Sequence, residues 1–423
     1  MNKYIYSVSV VILLLLTSCD INNDFKESVD LTIQNDANEL SKLVNKVERP
    51  LSISNTTSSK AASGSISAAP SMTVVTEIAA PSIPAGDLSA SHIAIVGTRM
   101  YVTYHLNNGS DNTSFGGGIQ IFDFATETMV SSATNEAIDW NYLLVDQASD
   151  RLLIAGENNA KGAILHEVAT TGGNLTVGTN EVINLGGVSA NSVVRTQNIV
   201  FVTTGGTDIS KNPGIYAFEA GNLSGTPSYY ASTGLKQATY HTSEQELMVL
   251  RENTNANGEL IIFDSNTILN GTMPQLDWTA ALDEVIDMGA QITPARGRNA
   301  VHVASNDVVF VPLGQNGIKV VNILNGSNNI TDTEQVNGTV NSLTSDNNYV
   351  YASLSNGFSI YSRSGGRGIN LNLEGTIGEL DFVADPADVS TVSINQATTF
   401  SFNGNNYVAV AAGRAGVKII RID

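Results

Sequence analysis

From Met72 onward, short apolar runs rich in Val, Ile, Phe and Tyr are bounded by Gly, Asn and Asp, and no helical period holds over a long window. Such runs predict strands in an all-β protein. One unit recurs: an apolar strand opened by glycine and often closed by an acidic or amide residue. It occupies 118–123, 162–167, 214–219, 258–264, 317–322, 357–361 and 416–421. Successive opening glycines are separated by 44, 52, 44, 59, 40 and 59 residues, a spacing that suits four-stranded propeller blades. A second apolar strand precedes each unit, at 100–104, 151–155, 199–203, 246–250, 308–311, 349–353 and 407–411. The tight loop between the two favours glycine, because hairpin turns often need positive φ. A third run, opening on a polar residue, lies further upstream in each repeat.

The chain stops at Asp423, directly after the third strand of the seventh repeat, while residues 72–79 form a strand with no blade of its own. Placed beside the last repeat, that orphan strand would cover an exposed edge and close the ring. The pattern therefore predicts a seven-bladed β-propeller over 72–423, closed by an N-terminal strand. Paired strands such as Asp307 to Asn322 (DVVFVPLGQNGIKVVN) resemble LVIVD-type propeller repeats, best in blades five and seven and fairly well in blade six. The resemblance implies a bacterial surface or periplasmic propeller and does not imply an activity.

Residues upstream of the ring read differently. Residues 8–16 are apolar but for Ser9, Lys3 precedes them, and Leu16-Thr17-Ser18-Cys19 follows. The stretch is far short of the ~20 apolar residues a spanning helix needs, and it has the form of a cleaved signal peptide, 1–18. It resembles the lipobox of bacterial lipoproteins, which implies diacylation of Cys19 and cleavage before it. Cys19 is the only cysteine, so no disulfide competes for it. Residues 19–71 are polar, then rich in Ser, Ala and Thr. They predict a lipidated flexible tether with one short helix over 37–47, where Leu40, Leu43 and Val44 share a face. Asp20 and Asp24 behind the cysteine resemble the acidic export signals of surface lipoproteins in Bacteroidota. The expected location is the cell envelope, on the outer membrane and exposed at the surface, with the lipid at Cys19 as the membrane contact.

The formal charge of −19 excludes nucleic acid as a partner, since such a field repels phosphate backbones. Sequence alone places candidate residues on the face carrying the loops between strands two and three and between blades. Those loops are long at 107–117, 205–213 and 252–257, which would suit a docking surface. The first residue of each inner strand is polar: His92, Asn141, Asn191, Gln237, Asn299, Asn341 and Asn395. This ring could hold water, an ion or a sugar hydroxyl, or could simply order channel water and satisfy strand ends. Arg296, Arg298 and Arg414 would stand on the same face, able to clamp a carboxylate or phosphate or to balance nearby acids. Trp140 and Trp278 suit packing better than sugar platforms. The histidines at 92, 105, 166, 241 and 302 show no HExxH or similar spacing, and neither a serine elbow nor a phosphate loop is present. No cofactor, metal site or catalytic residue is therefore expected. The expected function is a non-catalytic binding or scaffold module for another envelope protein, less readily for a glycan. The alternative is an enzyme acting on a polysaccharide or lactone at the channel mouth.

Overall fold

The computed structural model describes residues 26–54, 69–106, 114–269, 271–293, 299–305, 307–323, 329–364, 370–383 and 386–423. They form seven antiparallel sheets arranged as propeller blades. Blades one to six cover residues 86–135, 138–184, 189–231, 235–291, 302–334 and 340–378. In each, four consecutive strands, here A to D from the axis outward, pair in sequence order. Blade seven takes strands A to C from residues 396–422. Its D strand is Met72–Ile78, which pairs with Val417–Ile422 in the register Val74 opposite Ile420. The orphan strand thus closes the ring. Among the described residues no helix is long and apolar enough to cross a membrane.

The core consists of seven hydrophobic clusters, one at each interface between neighbouring blades. Between blades three and four, for example, Phe201 and Ile215 pack against Leu247, Phe263 and Trp278. At the seam between blades seven and one, Ala409 and Ile419 meet Leu88, Met100 and Phe122. Each buried aliphatic side chain contributes about 1.5–3 kcal/mol, and no blade could bury its faces alone.

The opening glycine of strand C is needed for two different reasons. In blades five and seven, Gly317 and Gly416 have φ of 83° and 77°, the conformation predicted for a hairpin turn. Gly214 in blade three does not have positive φ; there a Cβ would lie 2.3 Å from the Tyr230 carbonyl oxygen. A neighbouring strand's close approach, not the turn, excludes a side chain.

The stretch read as a flexible tether is, over residues 26–54, an ordered strap. Its strand β1 (Lys26–Ser28) adds to the outer edge of blade two, with Glu27 opposite Val182. β2 (Thr32–Gln34) adds to the edge of blade one, with Ile33 opposite Ala133. The short helix α1 (Ala37–Ser41) follows, capped by the Asp36 carboxylate. β3 (Val44–Pro50) then pairs with β4 (Met72–Ile78) at the edge of blade seven. Ser54 finally bridges Thr376 in the D strand of blade six. The strap therefore visits blades two, one, seven and six, against the sense of the ring. The predicted helix over 37–47 ends at Ser41, because Val44 opens a strand and, with Leu43, packs onto the seam between blades seven and one. Leu40 is 1% exposed in that same cluster. A polar composition argued for chain entropy winning. Alternating apolar residues and the unpaired edges of four blades outweigh it. Residues 55–68, the rest of the predicted spacer, lie outside the described residues, as do Cys19 and the signal segment.

Candidate functional site

The polar ring begins with irregular backbone. In blades two, three and six the inner strand bulges by one residue, and the unpaired residue is Asn141, Asn191 or Asn341. Asn395 stands immediately before the inner strand of blade seven. Such a bulge turns a side chain out of the ladder and along the ring.

What these amides do is repetitive. Asn141 Nδ2 donates to the Ala190 carbonyl oxygen at 3.1 Å, Asn191 Nδ2 to that of Leu235 at 2.8 Å, Asn341 Nδ2 to that of Ile394 at 2.9 Å and Asn395 Nδ2 to that of Ala90 at 2.6 Å. Each time the acceptor belongs to the next blade, on the residue that precedes its own turned-out side chain. In blade one this position is Ser91, whose Oγ donates to the Trp140 carbonyl oxygen at 2.7 Å. His92, the residue predicted for the ring, is displaced by the bulge between Ala90 and His92. Its Nδ1 accepts from the Leu143 amide at 3.4 Å, and its ring lies 3.6 Å from that of Tyr142. At five of the seven ring positions a side chain is therefore bonded to a carbonyl of the next blade.

The chain of bonds stops at blades four and five. There two residues, Lys236 and Gln237, stand against Leu250 alone between the paired Leu235 and Ala238, and Lys236, which follows the acceptor Leu235, donates its Nζ to Glu252 at 3.1 Å. Gln237 is 6% exposed and, among the described residues, its Oε1 has no hydrogen-bond partner. In blade five Asn299 is fully buried with φ of 45°, and among the described residues neither its Oδ1 nor its Nδ2 has a partner. Two amide oxygens and one amide nitrogen thus lack partners at adjacent ring positions, whose counterparts elsewhere lie within one side chain of the next blade. Leaving each unmade costs about 1–3 kcal/mol. The sequence showed amides at both positions but nothing to mark them off from the other five.

This division predicts opposite responses. Asn395→Ala removes a buried bond and strands the Ala90 carbonyl, and should cost about 1–3 kcal/mol. Gln237→Met exchanges an unpartnered amide for a thioether of similar size and should leave the urea midpoint unchanged or raise it. Equal losses in the two variants would contradict the division.

The remaining candidates separate. Arg414 is exposed in the turn between strands B and C of blade seven. Arg296 and Arg298 lie outside the described residues. Of the three loops read as long, that of blade one lies partly outside them, and that of blade three carries a short helical turn, Ile209–Lys211. The loop of blade four is a tight turn closed by the Asn253 amide on the Asn257 carbonyl oxygen, because strands B and C extend further than their apolar runs. Trp140 and Trp278 are packing residues: Trp140 donates to His166 Nδ1 at 3.1 Å and Trp278 to Ser228 Oγ at 3.0 Å. Among the described residues no group of three or more His, Cys, Asp or Glu is placed to hold a metal ion.

An acidic group missed by the sequence reading lies on the opposite face of blade four. Glu246 Oε2 is 3.6 Å from Nδ1 of the buried His241, and among the described residues neither atom has a hydrogen bond. Burial, with Asp283, Glu244, Asp264 and Glu284 around it, pushes the Glu246 carboxyl up to about 7. Burial likewise lowers His241, against the pull of Glu244 and Asp307, which disfavours a compensating charge on the imidazole. The folded chain then holds a proton that the unfolded chain releases at the ordinary carboxyl value of 4.5. Stability from this group is present below 4.5 and is lost as pH rises toward 7. Glu246→Gln should accordingly raise the melting temperature at pH 8 and leave it unchanged at pH 4, as read by calorimetry. A destabilised variant at pH 8 would contradict the assignment.

With this geometry the chain is a seven-bladed β-propeller whose inner ring is largely committed to joining blades. Neither a family model nor a curated protein matches the sequence. Solved structures do match in fold. A periplasmic gluconolactonase of Pseudomonas aeruginosa superposes with a TM-score of 0.53 at 11% identity, covering 78% of this chain and 96% of that one. A protein of Bacteroides uniformis, provisionally named a 6-phosphogluconolactonase, gives 0.51 at 13% identity over 78% of this chain and 97% of that one. A similarly named protein of Bacteroides fragilis gives 0.51 at 11% identity, over 78% and 95%.

Proposed function

We propose that this chain is a lipid-anchored envelope propeller that takes a sugar-acid lactone at the ring positions of blades four and five. The observation that carries the reading is the set of unpartnered buried amide atoms on Gln237 and Asn299, beside five ring positions where four amides and one hydroxyl are bonded. Those atoms supply donors and acceptors without charge, matched to hydroxyls and an ester carbonyl. Arg296 and Arg298 precede Asn299 by three residues and one and would meet the carboxylate formed on ring opening, or a phosphate on the sugar. The names of the propellers similar in fold support a lactone over a purely scaffolding role. In this reading Cys19 carries the lipid, the acidic residues after it direct export to the outer surface, and the LVIVD-like strands mark an envelope propeller of the Bacteroidota.

Hydrolysis of glucono-δ-lactone and 6-phosphogluconolactone, followed by acid release above the spontaneous rate, tests this reading. Calorimetric titration with gluconate runs alongside it. Activity or binding lost in Gln237→Met with the fold intact supports the site. Neither turnover nor binding of any of the three compounds by the parent chain removes it.

A second reading rests on a different observation. Val188, Ile209 and Tyr229 are exposed on or beside the loop face of blade three, where the Pro213 carbonyl oxygen accepts from the Tyr229 hydroxyl at 2.9 Å. An exposed apolar group of this kind favours a protein partner, as a binding module without chemistry would require. Ile209→Asp should abolish capture of envelope proteins in mild detergent while leaving lactone turnover intact.

A further inference from the structure

The strap decides where a lipid at Cys19 would hold the ring. Counted by sequence, a tether of residues 19–71 would be a coil of roughly 40 Å root-mean-square reach, leaving the body free to turn. The described chain instead begins at the rim of blade two. β1 pairs there through Lys26 opposite Ile183 and Ser28 opposite Glu181. The Val29 amide continues the ladder onto the Asn180 carbonyl oxygen at 3.0 Å. Val29, Leu31 and Ile33 pack on the cluster between blades one and two. Further bonds secure the segment: Lys161 to Glu27 at 2.7 Å, Asn135 Nδ2 to the Asp30 carbonyl oxygen at 3.0 Å and Ser131 to Asn35 at 2.7 Å.

Seven peptide steps separate Cys19 from Lys26, a reach of at most about 25 Å. Ile183 lies near the end of the D strand of blade two, Asn174–Asn184, where the chain turns toward the next inner strand. The chain thus enters at the rim on the side of the loop face. Resting on the reading that Cys19 is lipidated, we propose that the strap fixes membrane attachment at the rim of blade two, so that the ring stands on edge over the lipid surface. Its loop face then opens sideways, and blades five and six lie furthest from the membrane.

The lone cysteine makes the test direct, because acylation leaves an introduced cysteine as the single thiol. Asn159→Cys labels the exposed turn of blade two, and Gln335→Cys labels the exposed end of the outer strand of blade five. The lipidated variants, carrying a fluorophore, are placed in phosphatidylethanolamine and phosphatidylglycerol vesicles containing headgroup-quencher lipid. Quenching at 159 should exceed that at 335 by about threefold or more, given the ~25 Å leash. A Gly/Ser insert of about 30 residues after Asp24 should bring the two closer together by restoring a coil. Equal quenching without the insert overturns the edge-on arrangement. A Cys19→Ala chain that still floats with the vesicles overturns the anchor reading instead, and the proposal with it.

Discussion

Val74→Asp should prevent the ring from closing. Val74 is fully buried in β4 opposite Ile420, in the cluster shared by blades six and seven. The substitution forfeits about 1.5–3 kcal/mol of apolar burial and places a carboxylate inside an apolar cluster, at a further cost of several kcal/mol. Together these approach the ~5–15 kcal/mol that holds an ordinary domain folded. The consequence is larger than for an equal loss inside a blade, because β4 also supports β3 of the strap. Near-ultraviolet circular dichroism and limited proteolysis should show a chain without fixed packing, cleaved near its N-terminal strands. Val74→Ala, which removes volume without adding charge, should cost about 2 kcal/mol and remain folded. A cooperative, native-like urea transition in Val74→Asp would mean that the ring closes without β4.

Asp146→Asn should be nearly as damaging, for an electrostatic reason. Asp146 is 2% exposed at the end of the inner strand of blade two. Its carboxylate accepts from Arg151 Nε at 2.9 Å and from Arg195 of blade three. Arg151 reaches on to Glu167 at 2.7 Å and to the Ala220 carbonyl oxygen at 2.5 Å. The amide variant leaves two guanidinium groups with a single carboxylate between them. Breaking one partner out of a buried ion network costs about 3–5 kcal/mol. Little of that loss should be recovered in 1 M salt, since buried charges are poorly screened. A midpoint shift that vanishes in high salt would show the network to be a surface feature.

The location of the candidate site was legible only in part. The residue type at each ring position was visible as a polar residue ahead of an alternating strand. That Asn141, Asn191, Asn341 and Asn395 are spent on neighbouring carbonyls was not, because their acceptors are about 50 residues away or, for Asn395, at the other end of the chain. In blade one the pattern pointed to His92, yet a one-residue bulge gives the position to Ser91. A bulge changes register without changing composition, so alternation alone cannot reveal it. The idle amides of Gln237 and Asn299 became distinguishable only once the bonded five were in view.

By itself the sequence determined what depends on neighbours along the chain. Seven glycine-opened strands, each behind an apolar partner, specify seven hairpins, and the shortage of one outer strand specifies how the ring is completed. Local periodicity carries that much, since a strand and its hairpin mate lie within a few residues. Only the tertiary structure decided the path of residues 26–54. A polar segment shows little about its partners when those partners are the edges of four blades, as far along the chain as Thr376 from Ser54. What selects the path is the unsatisfied hydrogen bonding of those edges, a property that exists only after the blades have formed. Ordered in this way, the segment becomes a strap that covers four edges and brings the chain in at one point on the rim.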